Sequence, residues 1–274
     1  MYQVGWFSTG RGPGSRQLLK TVQEGIESGE IKARLAFVFC SREPGESPQT
    51  DLFFDQVKSY GIPLVCYSYT KFKAQHGLEA VSQPDQLPSW RLLYDREVMK
   101  RLKGFQPDLC LLAGYMLIVG EEMCRHYIML NLHPAAPSGP AGTWQQVIWK
   151  LIEQHAEQSG VMMHLVTPQL DKGPVVTYCT FSLRGQPFDQ LWQELRNKSL
   201  TAIQKEQGED HPLFRFIRQQ GVAREQPLIV ATLKAYSEGR VRVQRQQVFD
   251  GQGRPVPGYD LTREIEAKIS SAKL

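Results

Sequence analysis

Three polar residues stand out for the chemistry that their types and spacing permit: Asn131, His133 and Asp171. Asn131 and His133 lie two apart in Leu130-Asn131-Leu132-His133-Pro134, at the end of an apolar run. In a strand that spacing points both side chains to one face, about 7 Å apart, and Pro134 keeps the residue before it extended. A carboxylate follows in Leu170-Asp171-Lys172-Gly173-Pro174, a turn between two apolar runs that can return to the same sheet edge. An amide donor, an imidazole and a carboxylate suit acyl transfer, in which an amine attacks a carbonyl and negative charge gathers on its oxygen. Asn131 can donate to that oxyanion. His133 can donate or move a proton, with Asp171 raising its pKa or relaying through water. No covalent nucleophile is required. Taken singly, each also has a plainer role: strand end, satisfied core histidine, turn former.

A second constellation is the run Ser8-Thr9-Gly10-Arg11-Gly12-Pro13-Gly14-Ser15-Arg16, between a first strand and a first helix. Backbone N–H groups and the helix dipole attract an anion there, and a phosphate is the natural guest. The glycines run G-x-G-x-G, and the second strand ends in Cys40-Ser41-Arg42 with no acidic ribose acceptor, so a dinucleotide fits poorly. His126, His133, His155 and His164 form no i, i+4 pair on one helix, and no cysteine has a matching spacing, so no metal is expected. His164 alternates with Met162 and Val166 along an apolar run and reads as a buried supporting residue. No Gly-x-Ser-x-Gly elbow occurs.

The elements that must position these groups alternate in type. Strands are predicted at Tyr2–Ser8, Arg34–Cys40, Ile62–Tyr67, Asp108–Ala113 and Ile128–His133, with helices at Leu18–Ile26, Asp51–Tyr60, Tyr94–Leu102 and Glu121–His126. Continuous apolar strands point to a mostly parallel sheet covered on both faces, the α/β class in which ligands sit at the carboxyl edge. After a Pro- and Gly-rich loop come a helix over Trp144–Gln154 and strands at Val161–Thr167 and Pro174–Leu183. Two or three helices follow between Phe188 and Tyr236, then a hairpin over Arg240–Phe249 and a last helix at Leu261–Ile269. Residues 68–90 lack a period and read as a surface excursion. The expected division is an α/β domain over 1–205 and a C-terminal helical and hairpin extension over 206–274 packed on it, which also offers a surface for self-association.

The 274 residues are 41% hydrophobic and 22% charged, which suits a folded chain with a sizeable core and excludes disorder and a disulfide miniprotein. Five cysteines without C-x-x-C spacing read as reduced, mostly buried thiols. No apolar run approaches the roughly 18–20 residues that cross a bilayer, and Met1–Ser8 lacks the pattern of a secretory signal; no membrane role is expected, and the expected location is cytoplasmic. A net charge of +4 suits a small anionic substrate as well as nucleic acid, and with no supporting motif nucleic acid is not the expected partner.

Taken together, several segments resemble the folate-dependent formyltransferases, most closely the phosphoribosylglycinamide formyltransferases. They are Pro107-Asp108-Leu109, Leu112-Ala113-Gly114-Tyr115-Met116, Asn131-Leu132-His133-Pro134, His164-Leu165-Val166-Thr167 and Leu170-Asp171-Lys172-Gly173-Pro174-Val175-Val176. The resemblance covers about the first 185 residues and loosens towards Tyr236. It implies a Rossmann-like formyltransferase fold, 10-formyltetrahydrofolate as co-substrate, and a phosphorylated amine, glycinamide ribonucleotide, as acceptor in purine biosynthesis. It implies direct amine attack through a tetrahedral intermediate, with Asn131, His133 and Asp171 catalytic. Gly12, Gly14, Ser15 and Arg16 would hold the phosphate, Tyr115, Met116, Leu117, Ile118, Val119, Leu170, Lys172 and Gly173 would border the folate, and His164 would support.

Departures from the family pattern bear on the acceptor. The phosphate loop is two residues longer, with Arg16 where the family usually has Asn; Leu117 replaces a common Arg; Ala135–Thr143 lacks the His often found after its glycine; Met162 stands where a small hydroxyl residue is common. Another amine, such as an amino sugar nucleotide, or a non-catalytic folate- or phosphate-binding homologue, therefore stays open. Formylation of methionyl-tRNA would call for Arg-Gly-Ala-Ala-Pro where Pro140-Ala141-Gly142-Thr143 stands.

Overall fold

The computed structural model describes residues 1–76, 89–195 and 199–271. Eight strands form one sheet: β1 (Tyr2–Ser8), β2 (Ala33–Cys40), β3 (Leu64–Cys66), β4 (Leu109–Leu112), β5 (Met129–His133), β6 (Gln158–Leu165), β7 (Val175–Ser182) and β10 (Tyr259–Asp260). Their order is β10-β7-β6-β5-β4-β1-β2-β3. Only β6 runs against its neighbours, so the sheet is mostly parallel. The remaining strands, β8 (Val241–Gln244) and β9 (Gln247–Asp250), make a separate hairpin whose Val241, Val243 and Val248 join the main core.

Two layers cover the sheet because the strands are apolar on both faces. Val4 and Trp6 of β1 pack into one core and Phe7 into the other. Ala36 is an extra residue in β2, since Val4 pairs with Leu35 and Gly5 with Phe37. Gly5 makes that register possible: a Cβ there would lie 2.6 Å from the Phe37 ring. One face carries α1 (Pro13–Glu27), α2 (Pro48–Ser59), α9 (Pro212–Ser237) and α10 (Thr262–Ser271); the other carries α3 (Tyr69–Gln75), α4 (Ser89–Leu102) and α5 (Glu121–His126). A third cluster joins α6 (Trp144–Glu153), α7 (Phe188–Leu195), α8 (Leu200–Glu206) and the first turns of α9. Among the described residues no helix is long and apolar enough to cross a membrane.

Three local expectations are corrected. The first helix begins at Pro13, not Leu18: Pro at the first helical position is preorganised and loses no needed N–H, so Gly14, Ser15 and Arg16 belong to its first turn and not to a loop. Within 68–90, residues 69–75 form α3, capped by the Ser68 hydroxyl accepting from Lys71 N, and α4 starts at Ser89; residues 77–88 lie outside those described. Tyr259–Asp260, too short to show a period, adds an edge strand beside β7.

Candidate active site

The crevice at the carboxyl edge opens where the strand order turns, between β1 and β4. The loop after β1 and the loop after β4 are tied together there: Thr9 N donates to Gly114 O at 3.0 Å and Met116 N to Thr9 Oγ1 at 3.0 Å. Gly10 and Gly114 both adopt positive φ, which glycine accepts without strain. A Cβ on Gly114 would come within 3.0 Å of Ser15 Oγ, so the first turn of α1 sits close against the loop after β4. The cap residue Gly12 offers no side-chain acceptor, which leaves the N–H groups of Gly14 and Ser15 as first-turn donors without a partner among the described residues. Arg16 gives Nη1 to Gln49, at 2.8 Å to Oε1 and 3.2 Å to the carbonyl, and so bridges α1 to α2.

One strand along, β5 delivers the polar triad. Asn131 and His133 project from the same face of β5, Asn131 opposite His164 and His133 opposite Met162 across the antiparallel pairing with β6. The turn from β6 to β7 swings Asp171 back over both histidines: Oδ2 is 3.9 Å from His133 Nδ1 and Oδ1 is 3.5 Å from His164 Nε2. Asp171 sits at φ +54°, a left-handed position that Asp tolerates better than most residues. Gly173 completes the turn, because a Cβ there would fall 1.7 Å from the Leu165 carbonyl oxygen. Asn131, His133, Asp171 and His164, separated by up to 40 positions in the chain, thus meet at one place.

Hydrogen bonding sorts the protons. His133 Nε2 donates to Pro140 O at 3.1 Å, so in the neutral ring Nδ1 is the acceptor and faces Asp171. His164 Nδ1 donates to Leu165 O at 3.1 Å, and its Nε2 accepts from Asn131 Nδ2 at 3.2 Å. One hydrogen of the Asn131 amide is used this way and the other is left for an incoming oxygen. Burial lowers the pKa of His133, which is 3% exposed, and outweighs the upward pull of the Pro140 carbonyl and the Asp171 charge. Asp171 does push this imidazole upward, but desolvation outweighs it and the ring is neutral near pH 7. For Asp171 the balance tips the other way. Burial pushes its carboxyl up, yet the polar contact with His164, the positive charge that either imidazole carries when protonated, and the Gly142 N–H together bring it below the ordinary carboxylate range.

The residues expected to border a cofactor divide by exposure. Met116 and Leu170 are each 56% exposed, Ile118 is exposed and Leu117 half-buried at the crevice, while Lys172 faces solvent. Tyr115 and Val119 instead turn into the core, where Tyr115 packs edge-on against Phe7 and Phe39; their side chains shape the loop from beneath. Gly173 acts through packing. A separate cavity of about 520 Å³ lies between residues 136–140 and the C-terminal half of α6, lined by none of the four polar residues. Sequence reasoning missed Thr9, the Pro140 carbonyl, and a buried pair on α4, Arg91 and Asp95. The signal for that pair was there: both fall on the helical stripe of Tyr94, Val98 and Leu102, where charge is out of place.

Residues 14–183 match the formyl transferase family model. The phosphoribosylglycinamide formyltransferase of Escherichia coli (strain K12) is 27% identical over 175 residues, 62% of this chain and 68% of that protein. The methionyl-tRNA formyltransferase of Thermotoga maritima is 25% identical over 123 residues, 43% of this chain and 39% of its own. In three dimensions the phosphoribosylglycinamide formyltransferase of Coxiella burnetii aligns with a TM-score of 0.65 at 19% identity, covering 94% of this chain and 98% of that one. A formyltetrahydrofolate deformylase from Pseudomonas syringae aligns at 0.57 and 19% identity, covering 91% of this chain and 65% of its own. With the family model spanning well over half of its length, the chain belongs to the formyl transferase family.

Proposed function

We propose that the protein transfers the formyl group of 10-formyltetrahydrofolate to the primary amine of glycinamide ribonucleotide. The observation that carries this reading is the meeting of an amide donor, a neutral imidazole and an ionised carboxylate at one crevice. His133 Nδ1 and Asp171 Oδ2 are two acceptors facing each other across 3.9 Å, a place that calls for a donor with more than one hydrogen, and a primary amine is such a donor. The amine nitrogen attacks the formyl carbon, and the carbonyl electron pair moves to oxygen, where the remaining Asn131 N–H holds it. The amine proton passes to His133 Nδ1, and Asp171 stabilises the imidazolium. That proton then goes to N10 of the departing tetrahydrofolate as the C–N10 bond breaks, leaving a formamide. His164 positions the Asn131 amide.

The substrates divide along the crevice. The folate lies against Met116, Leu117, Ile118 and Leu170, and the phosphate of the amine caps α1 at Gly12, Gly14 and Ser15, with Arg16 adding charge from the side. The segment 206–274 serves as a buttress, since α9 packs on β6 and β7 and β10 extends the sheet. The test is formyl transfer with purified protein, 10-formyltetrahydrofolate and glycinamide ribonucleotide. Formation of the formamide supports the reading; release of formate with the amine omitted would make the protein a hydrolase instead, and the absence of both would leave a binding protein. Arg16→Ala is expected to raise KM for the phosphorylated amine about tenfold, the loss of about 1.4 kcal/mol of ground-state binding, with KM for folate within twofold. Equal losses in both would move the phosphate away from α1.

A further inference from the structure

The loop that presents Met116 and Ile118 is held at both ends, and its two anchors differ in kind. At the β4 end it is tied by neutral groups, Thr9 N–H to Gly114 O and Met116 N–H to the Thr9 hydroxyl. At the far end it is tied by two buried charges. Arg91 donates Nε and Nη2 to the Ile118 carbonyl at 2.9 and 2.6 Å, and Nη2 also to Asp95 Oδ1 at 2.7 Å. The other carboxylate oxygen, Asp95 Oδ2, accepts from Gly120 N at 2.7 Å. A ring is closed: guanidinium, carbonyl 118, the backbone to N–H 120, carboxylate, guanidinium. Arg91 and Asp95 are 3% and 1% exposed, one turn apart on α4, with the guanidinium also lying 5.1 Å from the Trp90 ring and 5.2 Å from that of Tyr94.

Energetics argue that this pair is not there for stability. Taking two charges out of water costs as much as their attraction returns, and apolar residues of similar volume commonly serve a fold as well or better. Nor is the burial complete in its pairing: Arg91 Nη1 and the Tyr115 hydroxyl beside it, both shut from solvent, make no hydrogen bond of good geometry among the described residues. What the pair alone supplies is direction. Its donors and acceptor fix one carbonyl and one N–H, two residues apart, and so set the peptide planes of 118–120. With Tyr115 and Val119 held in the core, that setting decides which way Met116 and Ile118 face.

We propose that Arg91 and Asp95 are positioning residues that clamp the 115–120 loop in the shape the pteridine-bearing donor requires, at the expense of stability. This rests on the reading that folate binds along that loop. The test is the double variant Arg91→Met with Asp95→Leu, which leaves no charge unpaired, alongside Asp95→Asn as a near-isosteric change. Expected for the double variant are a thermal midpoint as high as that of the unsubstituted protein or higher, a Kd for a non-reactive folate analogue weakened about tenfold or more, and KM for the amine within twofold. In the ligand-free protein, amide exchange at Gly120, which loses its acceptor, is expected to rise at least about tenfold. Asp95→Asn is expected to move the folate Kd and the Gly120 exchange in the same directions by less, with a lower midpoint because the buried Arg91 charge is left uncompensated. Unchanged exchange and unchanged folate affinity at an unchanged midpoint would overturn the clamp, as would a collapse of the midpoint in the double variant with normal folate affinity in Asp95→Asn. If the unsubstituted protein binds no folate analogue, the folate reading falls by itself, and the Gly120 exchange still decides whether the loop is clamped.

Discussion

Replacing Asp171 by Asn is expected to lower the rate of formyl transfer by about a hundredfold or more, the range spanned by general acid and base groups, without unfolding the protein. Asn keeps the size of the side chain and tolerates the left-handed backbone at this position as well as Asp does, so the loss reports charge and not strain. The pH profile makes the expectation sharper. Under the proposed mechanism activity requires a neutral His133 Nδ1 and an ionised Asp171, so the acid limb of kcat/KM is expected to reflect the His133 imidazole, held below its ordinary value by burial. Asp171 opposes that lowering; with its charge gone, the His133 pKa falls further and the residual acid limb moves to lower pH. A limb that stays put or moves upward would detach Asp171 from His133. Stability follows the carboxylate itself: its folded pKa is depressed, so its contribution is full above about pH 4 and lost as pH falls through the folded value. Combining Asp171→Asn with His133→Ala is expected to cost little more than either alone, because the two act on one proton.

Much of this geometry is legible in the chain itself, for reasons that can be named. Asn131 and His133 are two apart in a run too apolar to be anything but a buried strand, so period-two geometry alone places them on one face, and β5 indeed ends at His133. Asp171 lies between two apolar runs separated by a turn, and an antiparallel return is the short way to join them. What composition does not carry is direction within a turn. That Asp171 reaches two histidines depends on its positive φ and on Gly173 passing beneath the Leu165 carbonyl, neither of which has a local signature beyond the glycine. The sign of the His133 shift was equally hidden, since a carboxylate neighbour is visible in sequence and the depth of burial that outweighs it is not. Residues 69–75 show no readable period because a seven-residue helix offers barely two turns, and the Arg91–Asp95 pair straddles the start of the helix predicted at Tyr94–Leu102, so that only Asp95 falls inside the expected stripe.

Asn131→Ala carries the second large expectation, a fall in kcat of about 10²–10³, corresponding to roughly 2.7–4 kcal/mol of lost oxyanion stabilisation, with KM for both substrates nearly unchanged. The split is required by the chemistry. The amide meets the oxygen most strongly once negative charge has moved onto it, so its removal is felt in the transition state far more than in the ground state. His164 offers an internal control, because it touches the Asn131 amide through Nε2 and is anchored by the Leu165 carbonyl through Nδ1. A histidine that only orients the amide acts entirely through it: His164→Gln lowers kcat in the unsubstituted background and has almost no further effect once Asn131 is Ala. A full additional loss in the double variant would give His164 a role of its own, through Asp171 Oδ1 at 3.5 Å, and would move the proton path from His133 to the pair of imidazoles.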